Sequence, residues 1–162
     1  PETPSDIDAV TAVTRAAFEN HPVSRRTEHF IIHALRAADA LTVSLVAEDD
    51  RQIVGHIAFS PVTFTDGSSH WYGLGPISVL PARWRQGIGT ALINDGLKTL
   101  RQQGAKGCIL VGDPAYYVRF GFNSPQNLSH EGVPRENLLV LAFERPVPAG
   151  QVTFHTAFTA TQ

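Results

Sequence analysis

Apolar and polar positions divide this chain into two periodic regimes and return to the first near its middle. Residues 5–19 carry Ile7, Val10, Val13, Ala17 and Phe18 at helical spacing, which predicts a first helix. Ser5 followed by Asp8 reads as a weakened capping box at its start. A second helix is predicted over 26–38, with Phe30, Ile31, Ala34 and Leu35 inward. The period then shortens. Residues 41–47, 53–64 and 71–80 read as strands, separated by turns at Asp49-Asp50 and Asp66-Gly67. Two successive hairpins imply an antiparallel meander.

Pro81 has no N–H to give and ends the third strand. From Gly87 the spacing is helical again through Ile88, Ala91, Leu92, Gly96, Leu97 and Leu100, and Gly104 is placed to end that helix. Residues 108–111 form a short apolar run that reads as a buried strand. A strand, a helix and a strand make a crossover, so the strands at 71–80 and 108–111 are expected to be parallel. Asp113-Pro114 has the N-cap and N1 chemistry of a short helix ending near Gly121. A long loop at 123–137 and two last strands at 138–144 and 151–158 complete the chain. The class is α+β (mixed α/β): a meander fused to one crossover.

Composition narrows the partners. The 162 residues suffice for one domain with a sizeable core, at 43% hydrophobic and 17% charged. A formal net charge of −2 gives no general basic field for nucleic acid or membrane. The single cysteine, Cys108, rules out an internal disulfide and reads as an inert core thiol. With no signal-peptide pattern at the start, the expected location is cytoplasmic. The sequence holds no methionine, so a short segment is expected before Pro1.

One stretch carries chemistry. "WRQGIGTALI" at 84–93 sets Gly87 and Gly89 where a helix begins, although glycine costs roughly 1 kcal/mol against alanine inside a helix. A helix start offers free N–H groups and partial positive charge, the natural partner of an anion. Bare glycines let a diphosphate approach, and Arg83 and Arg85 add positive charge. The stretch matches neither the dinucleotide fingerprint, since Leu92 stands at its last position, nor a P-loop. Close helix–sheet packing is the competing reason for the two glycines.

The longer stretch "ISVLPARWRQGIGTALI" at 77–93 resembles motif A of the GNAT acyltransferases, the Gcn5-related N-acetyltransferases. "GDPAYYVRFGF" at 112–122 resembles their motif B. The element order along nearly the whole chain is similar too, and the two motifs together are most similar to a bacterial subgroup of predicted N-acetyltransferases without an assigned substrate. The resemblance implies one acyltransferase domain over 1–162, with the family's first strand expected before Pro1. It implies acetyl-CoA as co-substrate, with its pyrophosphate on the backbone N–H groups of Arg85, Gln86, Gly87, Ile88, Gly89 and Thr90. Ile77 and Val79 would pair by backbone with the pantetheine arm, admitted by a splay between the strands at 77–80 and 108–111, with a bulge at Gly75-Pro76. Tyr117 matches the acid that protonates the leaving thiolate; core packing is its other reading. Trp84 departs from the family, standing at a usual Gln or Arg position. Because the cradle works through backbone N–H groups, binding is expected to survive there, even with glutamine restored.

The implied activity is transfer of acetyl to an amine of a small molecule or peptide. A non-catalytic acyl-CoA sensor of the same fold is the alternative; a longer acyl chain or an oxygen nucleophile is a third reading. Homodimers through the last strands are common in the fold. The acceptor pocket is expected around 20–28, 64–70 and 123–137. His56, His70 and Asp113 are weak candidates for the general base, each with an ordinary structural reading. His29 and His33 have metal-ligand spacing without the H-E-x-x-H pattern, so no metal is expected. Arg15, Arg25, Arg26 and Arg36 read as solvated surface.

Overall fold

A computed structural model describes residues 1–21 and 24–162. A 3-10 turn, Pro4–Asp6, leads into helix α1, Ile7–Phe18. The box at this start joins Thr3 to Asp6 rather than Ser5 to Asp8: the Asp6 carboxylate accepts the Thr3 N–H at 2.8 Å. The extra 3-10 turn moves the cap upstream. Helix α2 spans Glu28–Ala37 and buries Ile31, Ile32 and Leu35. Its buried stripe is therefore turned from the expected one, with Phe30 and Ala34 only half-buried.

Strands β1 (Val43–Asp49), β2 (Gln52–Phe64) and β3 (Trp71–Val79) form the antiparallel meander. The first turn is one residue later than its sequence signal. Asp49 pairs with Gln52, and Asp50 and Arg51 both take positive φ, the conformation that matches strand twist in a two-residue hairpin. Helix α3 (Ile88–Gln102) then crosses to β4 (Gly107–Val111), which runs parallel to β3. Gly104, with φ +83°, ends α3 as expected. Its N–H reaches the Arg101 carbonyl and that of Ala105 reaches Leu100, a Schellman closure.

Asp113 caps the short helix α4 (Pro114–Tyr117) by accepting the Ala115 N–H, and a 3-10 turn carries the chain to Gly121. The expected loop at 123–137 contains a two-residue strand, β5 (Leu128–Ser129), and a 3-10 turn at Arg135–Asn137. Strand β6 is Leu138–Ala142, shorter than expected because the Phe143 and Glu144 N–H groups both turn to the Lys106 carbonyl. Strand β7 is Gly150–Phe154; beyond it His155 accepts the Ala157 N–H and starts a 3-10 turn in place of continued strand.

Among the described residues the sheet order is β5-β7-β2-β3-β4-β6, with β1 beside β2. β1 and β7 occupy successive parts of one edge of β2. The main core lies between this sheet and α3, where Ile57, Phe59, Leu92, Ile93 and Leu100 are buried. α1 packs on β2 and β3.

Candidate functional site

β3 and β4 separate along their length. Among the described residues they pair only from Trp71 to Gly73 against Gly107 to Ile109; beyond that, no strand pairs with β3 on its β4 side. The separation begins at a bulge: Ala58 of β2 stands opposite both Gly75 and Pro76, because Ile57 pairs with Ile77 and Phe59 with Leu74. Gly75 has φ +143°, accessible to glycine without strain.

The register fixes where the free backbone groups point. The Leu80 N–H donates to the Val54 carbonyl at 2.8 Å, so Leu80–Val54 is a hydrogen-bonded pair. Such pairs alternate along an antiparallel ladder, so Ser78–His56 is also bonded, while Ile77–Ile57 and Val79–Gly55 are not. The N–H and C=O groups of Ile77 and Val79 therefore face the open edge. The Val79 carbonyl is taken there by the Trp84 indole N–H at 2.8 Å. Among the described residues, the Val79 N–H and both backbone groups of Ile77 have no partner on this edge.

At the end of this opening stands the start of α3. Among the described residues, none of the backbone N–H groups from Arg85 to Thr90 donates to another backbone or side-chain acceptor. Gly87 has φ +83°, and a Cβ there would meet nothing within 4 Å. It is glycine for its backbone conformation and not for packing. At Gly89 a Cβ would lie 3.6 Å from the Tyr116 hydroxyl, an ordinary contact. The close-packing glycine of α3 is Gly96, whose Cβ would fall 2.3 Å from Phe59. Packing thus explains Gly96 but not Gly87 or Gly89.

A groove of about 1040 Å3 joins these parts. Its walls include Ile77 and Val79, the loop and helix start from Arg83 to Thr90, Val111, and both tyrosines of α4. The Tyr117 ring lies so close to Gly112 that a Cβ there would be 2.6 Å from it. Burial, and then the neighbouring Tyr116, pushes the Tyr117 phenol up to about 12, so it remains a proton donor at neutral pH. Arg119 covers the Tyr116 ring, its guanidinium 4.5 Å from the centroid, and donates to the Tyr116 carbonyl. Of the two arginines before the cradle, Arg83 is paired with Asp49, leaving Arg85 as the unpaired charge among the described residues.

The candidate bases fare differently. Asp113 lines the groove, with one carboxylate oxygen used for the α4 cap. His70 sits in the loop before β3 and does not line the groove. His56 is fully buried on the face of β2 away from α3. Ser44 gives its hydroxyl proton to Glu2 at 2.9 Å, so the 2.7 Å contact between Ser44 Oγ and His56 Nε2 is donated by the imidazole. Glu2 is also held by a two-pronged pair with Arg36, which is therefore an ion-pair residue and not free surface. Burial, offset in part by Glu2, lowers the His56 pKa to about 4. This imidazole is neutral, structural and outside the groove.

Sequence reading missed the contribution of Phe18, which lines the groove from the end of α1. Of the expected acceptor segments, 20–28 reaches the groove at His21, with 22–23 lying outside the described residues, while 64–70 and 123–137 are not among its walls. His33 bonds Thr11 at 3.1 Å, and among the described residues no three metal-capable side chains converge. Cys108 is buried, and burial raises its thiol pKa. Among the described residues no helix is long and apolar enough to cross a membrane.

The family model described as "Acetyltransferase (GNAT) family" matches residues 8–122. A relative from Escherichia coli strain K12, the uncharacterized N-acetyltransferase YhbS, is 36% identical over 122 residues, covering 75% of this chain and 70% of its own. Two solved structures align over nearly the whole chain. A GNAT family acetyltransferase from Brucella melitensis in complex with acetyl-CoA is 49% identical, with TM-score 0.87 and coverage of 97% of this chain and 94% of that one. YhbS from Escherichia coli in complex with CoA is 31% identical, with TM-score 0.89 and coverage of 99% and 91%.

Proposed function

The chain belongs to the acetyltransferase (GNAT) family, and on that premise we propose that it is an acetyl-CoA-dependent N-acetyltransferase acting on an amine of a small molecule or peptide. The observation that carries this reading is the run of free N–H groups from Arg85 to Thr90, at the end of a groove continuous with the open edge of β3. Six backbone donors and a helix N-terminus suit a pyrophosphate. The exposed groups of Ile77 and Val79 suit the amide-bearing arm that connects it to the thioester. The complexes of the Brucella and Escherichia relatives with acetyl-CoA and CoA support the same assignment.

Acetyl-CoA supplies the activated acetyl group that the amine attacks. The chain's part is to hold it and to manage charge. The outward N–H groups of β3 are donors for the carbonyl oxygen as charge grows there. Tyr117 would donate a hydrogen bond to the departing sulfur; its raised pKa keeps the phenol protonated for that role while making it a weak acid. One observation favours the rival reading, an acyl-CoA-binding module without turnover. His56 and His70 lie outside the groove, so the proton released by the amine has Asp113 or His21 as its acceptor among the side chains of the walls.

Thermal stabilisation by CoA combined with thiol release from acetyl-CoA across a panel of amines tests both readings. Binding with turnover on at least one amine is expected. Binding with no turnover on any acceptor supports the sensor, and no binding overturns the cradle.

A further inference from the structure

The indole N–H of Trp84 closes onto the edge of β3, and no other polar atom of its ring is committed there. The residue is 55% exposed, follows the 3-10 turn Pro81–Arg83, and lines the groove immediately before the free N–H run. An exposed indole wall at a ligand groove invites contact with an apolar or aromatic partner. Its one polar atom is already satisfied by the Val79 carbonyl at 2.8 Å. That bond fixes the edge of the ring to the end of β3 and leaves more than half of the residue's surface open to a partner. The charge beside it is also settled: Asp49 occupies Arg83, while Arg85 follows Trp84 with φ +64° and no ion-pair partner among the described residues.

We infer that the Trp84 indole is the platform on which the adenine of CoA stacks, making it a specificity residue for the nucleotide end of the cofactor. This rests on the reading of Arg85 to Thr90 as the pyrophosphate cradle. Once the diphosphate occupies those N–H groups, the rest of CoA is an adenosine 3′-phosphate that must leave the groove near the residues flanking the cradle. A flat ring held three residues before Gly87 offers a π-face to a flat base. Such stacking is a substantial binding contribution and requires no hydrogen-bond readout. Glutamine at this position could replace the donor to Val79 but not the ring, so the expectation that it would leave affinity unchanged gives way.

The test compares wild type with Trp84→Ala, Trp84→Gln and Trp84→Phe by calorimetry, using CoA and 4′-phosphopantetheine, which keeps one cradle phosphate and lacks the other together with the adenosine 3′-phosphate. Loss of the ring in the Ala and Gln variants is expected to weaken CoA by about tenfold or more, with phosphopantetheine unchanged and the Phe variant near wild type. A second readout is indole fluorescence. Trp71 is buried against Phe64, so the exposed-indole emission belongs to Trp84 and is expected to be quenched by CoA but not by phosphopantetheine. Wild-type affinity for CoA in Trp84→Ala, equal losses for the two ligands, or unquenched emission on CoA binding overturns the stacking role and leaves the cradle standing. Weakening in Trp84→Phe with wild-type affinity in Trp84→Gln overturns it in favour of a loop pin. Failure of the wild type to bind CoA at all removes the cradle and the platform together.

Discussion

The indole N–H of Trp84 donates to the carbonyl of Val79 at 2.8 Å, joining the open end of β3 to the loop that enters α3. Val79 is a non-bonded position of the β2–β3 ladder, so this carbonyl faces the splay and not the neighbouring strand. The bond holds two parts of the groove in a fixed relation: the edge that suits an extended arm and the N–H groups that suit a diphosphate. The tryptophan takes one acceptor of that edge for itself.

Gly87→Val is expected to abolish measurable CoA binding. The backbone there has φ +83°, which a branched residue adopts at a cost of roughly 1–2 kcal/mol. Relaxing that φ would turn the adjoining N–H groups away from a common point. Calorimetry with CoA checks the binding and thermal melting checks the cost. Wild-type affinity in this variant would show that the cofactor is held elsewhere.

Tyr117→Phe is expected to lower kcat on the order of 10²-fold while the affinity for acetyl-CoA stays within about twofold, since in the proposed role the phenol would act on the leaving sulfur. With its pKa raised to about 12, ionisation of the phenol should cause no alkaline fall in wild-type rate below about pH 11. Steady-state rates measured alongside equilibrium binding separate the two effects. Unchanged turnover removes Tyr117 from the acid role.

His56 predicts an acid-side loss of stability. Its pKa falls from the ordinary imidazole value of 6.5 to about 4 in the fold, because burial penalises the imidazolium and no partner among the described residues meets Nδ1. The neutral form is the one the fold prefers, so the contribution is complete above about pH 6.5 and is lost as pH falls to about 4. The difference is on the order of 3 kcal/mol. Glu2 acts in the same direction: burial raises its pKa, but the hydrogen bonds from Arg36 and Ser44 outweigh this and leave it lowered. Melting temperatures from about pH 7 to about pH 4 should drop less steeply in His56→Gln than in wild type. Parallel profiles would mean that the imidazole does not drive the loss.

Gly96→Ala should cost about 1–3 kcal/mol by overpacking. A Cβ at Gly96 would lie 2.3 Å from the Phe59 ring, which is itself fully buried and has no room to retreat. Phe59→Leu in the same chain should recover part of the loss, so denaturant unfolding of the double variant should show less than the sum of the single losses. Strict additivity would contradict the contact.

Short-range chemistry was legible from residues alone. The helix at 88–102 showed in its spacing, Gly104 in the left-handed residue that ends a helix, and Asp113-Pro114 in the cap and first-turn pair of α4. The meander and crossover followed from turn signals and strand order, and the resemblance pointed to the stretches that surround the groove. Each of these signals depends on residues a few positions apart, whose backbone preferences act before any tertiary contact forms. The rest needed distant segments placed in register. That Ile77 and Val79 face the open edge follows from the Leu80–Val54 bond, which no local pattern encodes. Glu2, Arg36, Ser44 and His56 meet only once an N-terminal arm, a helix and two strands converge, and that convergence makes His56 a buried structural group. Trp84 is the plainest case. The sequence showed an indole where the family has another side chain, but only the fold brings its N–H to Val79 and leaves its ring at the mouth of the groove.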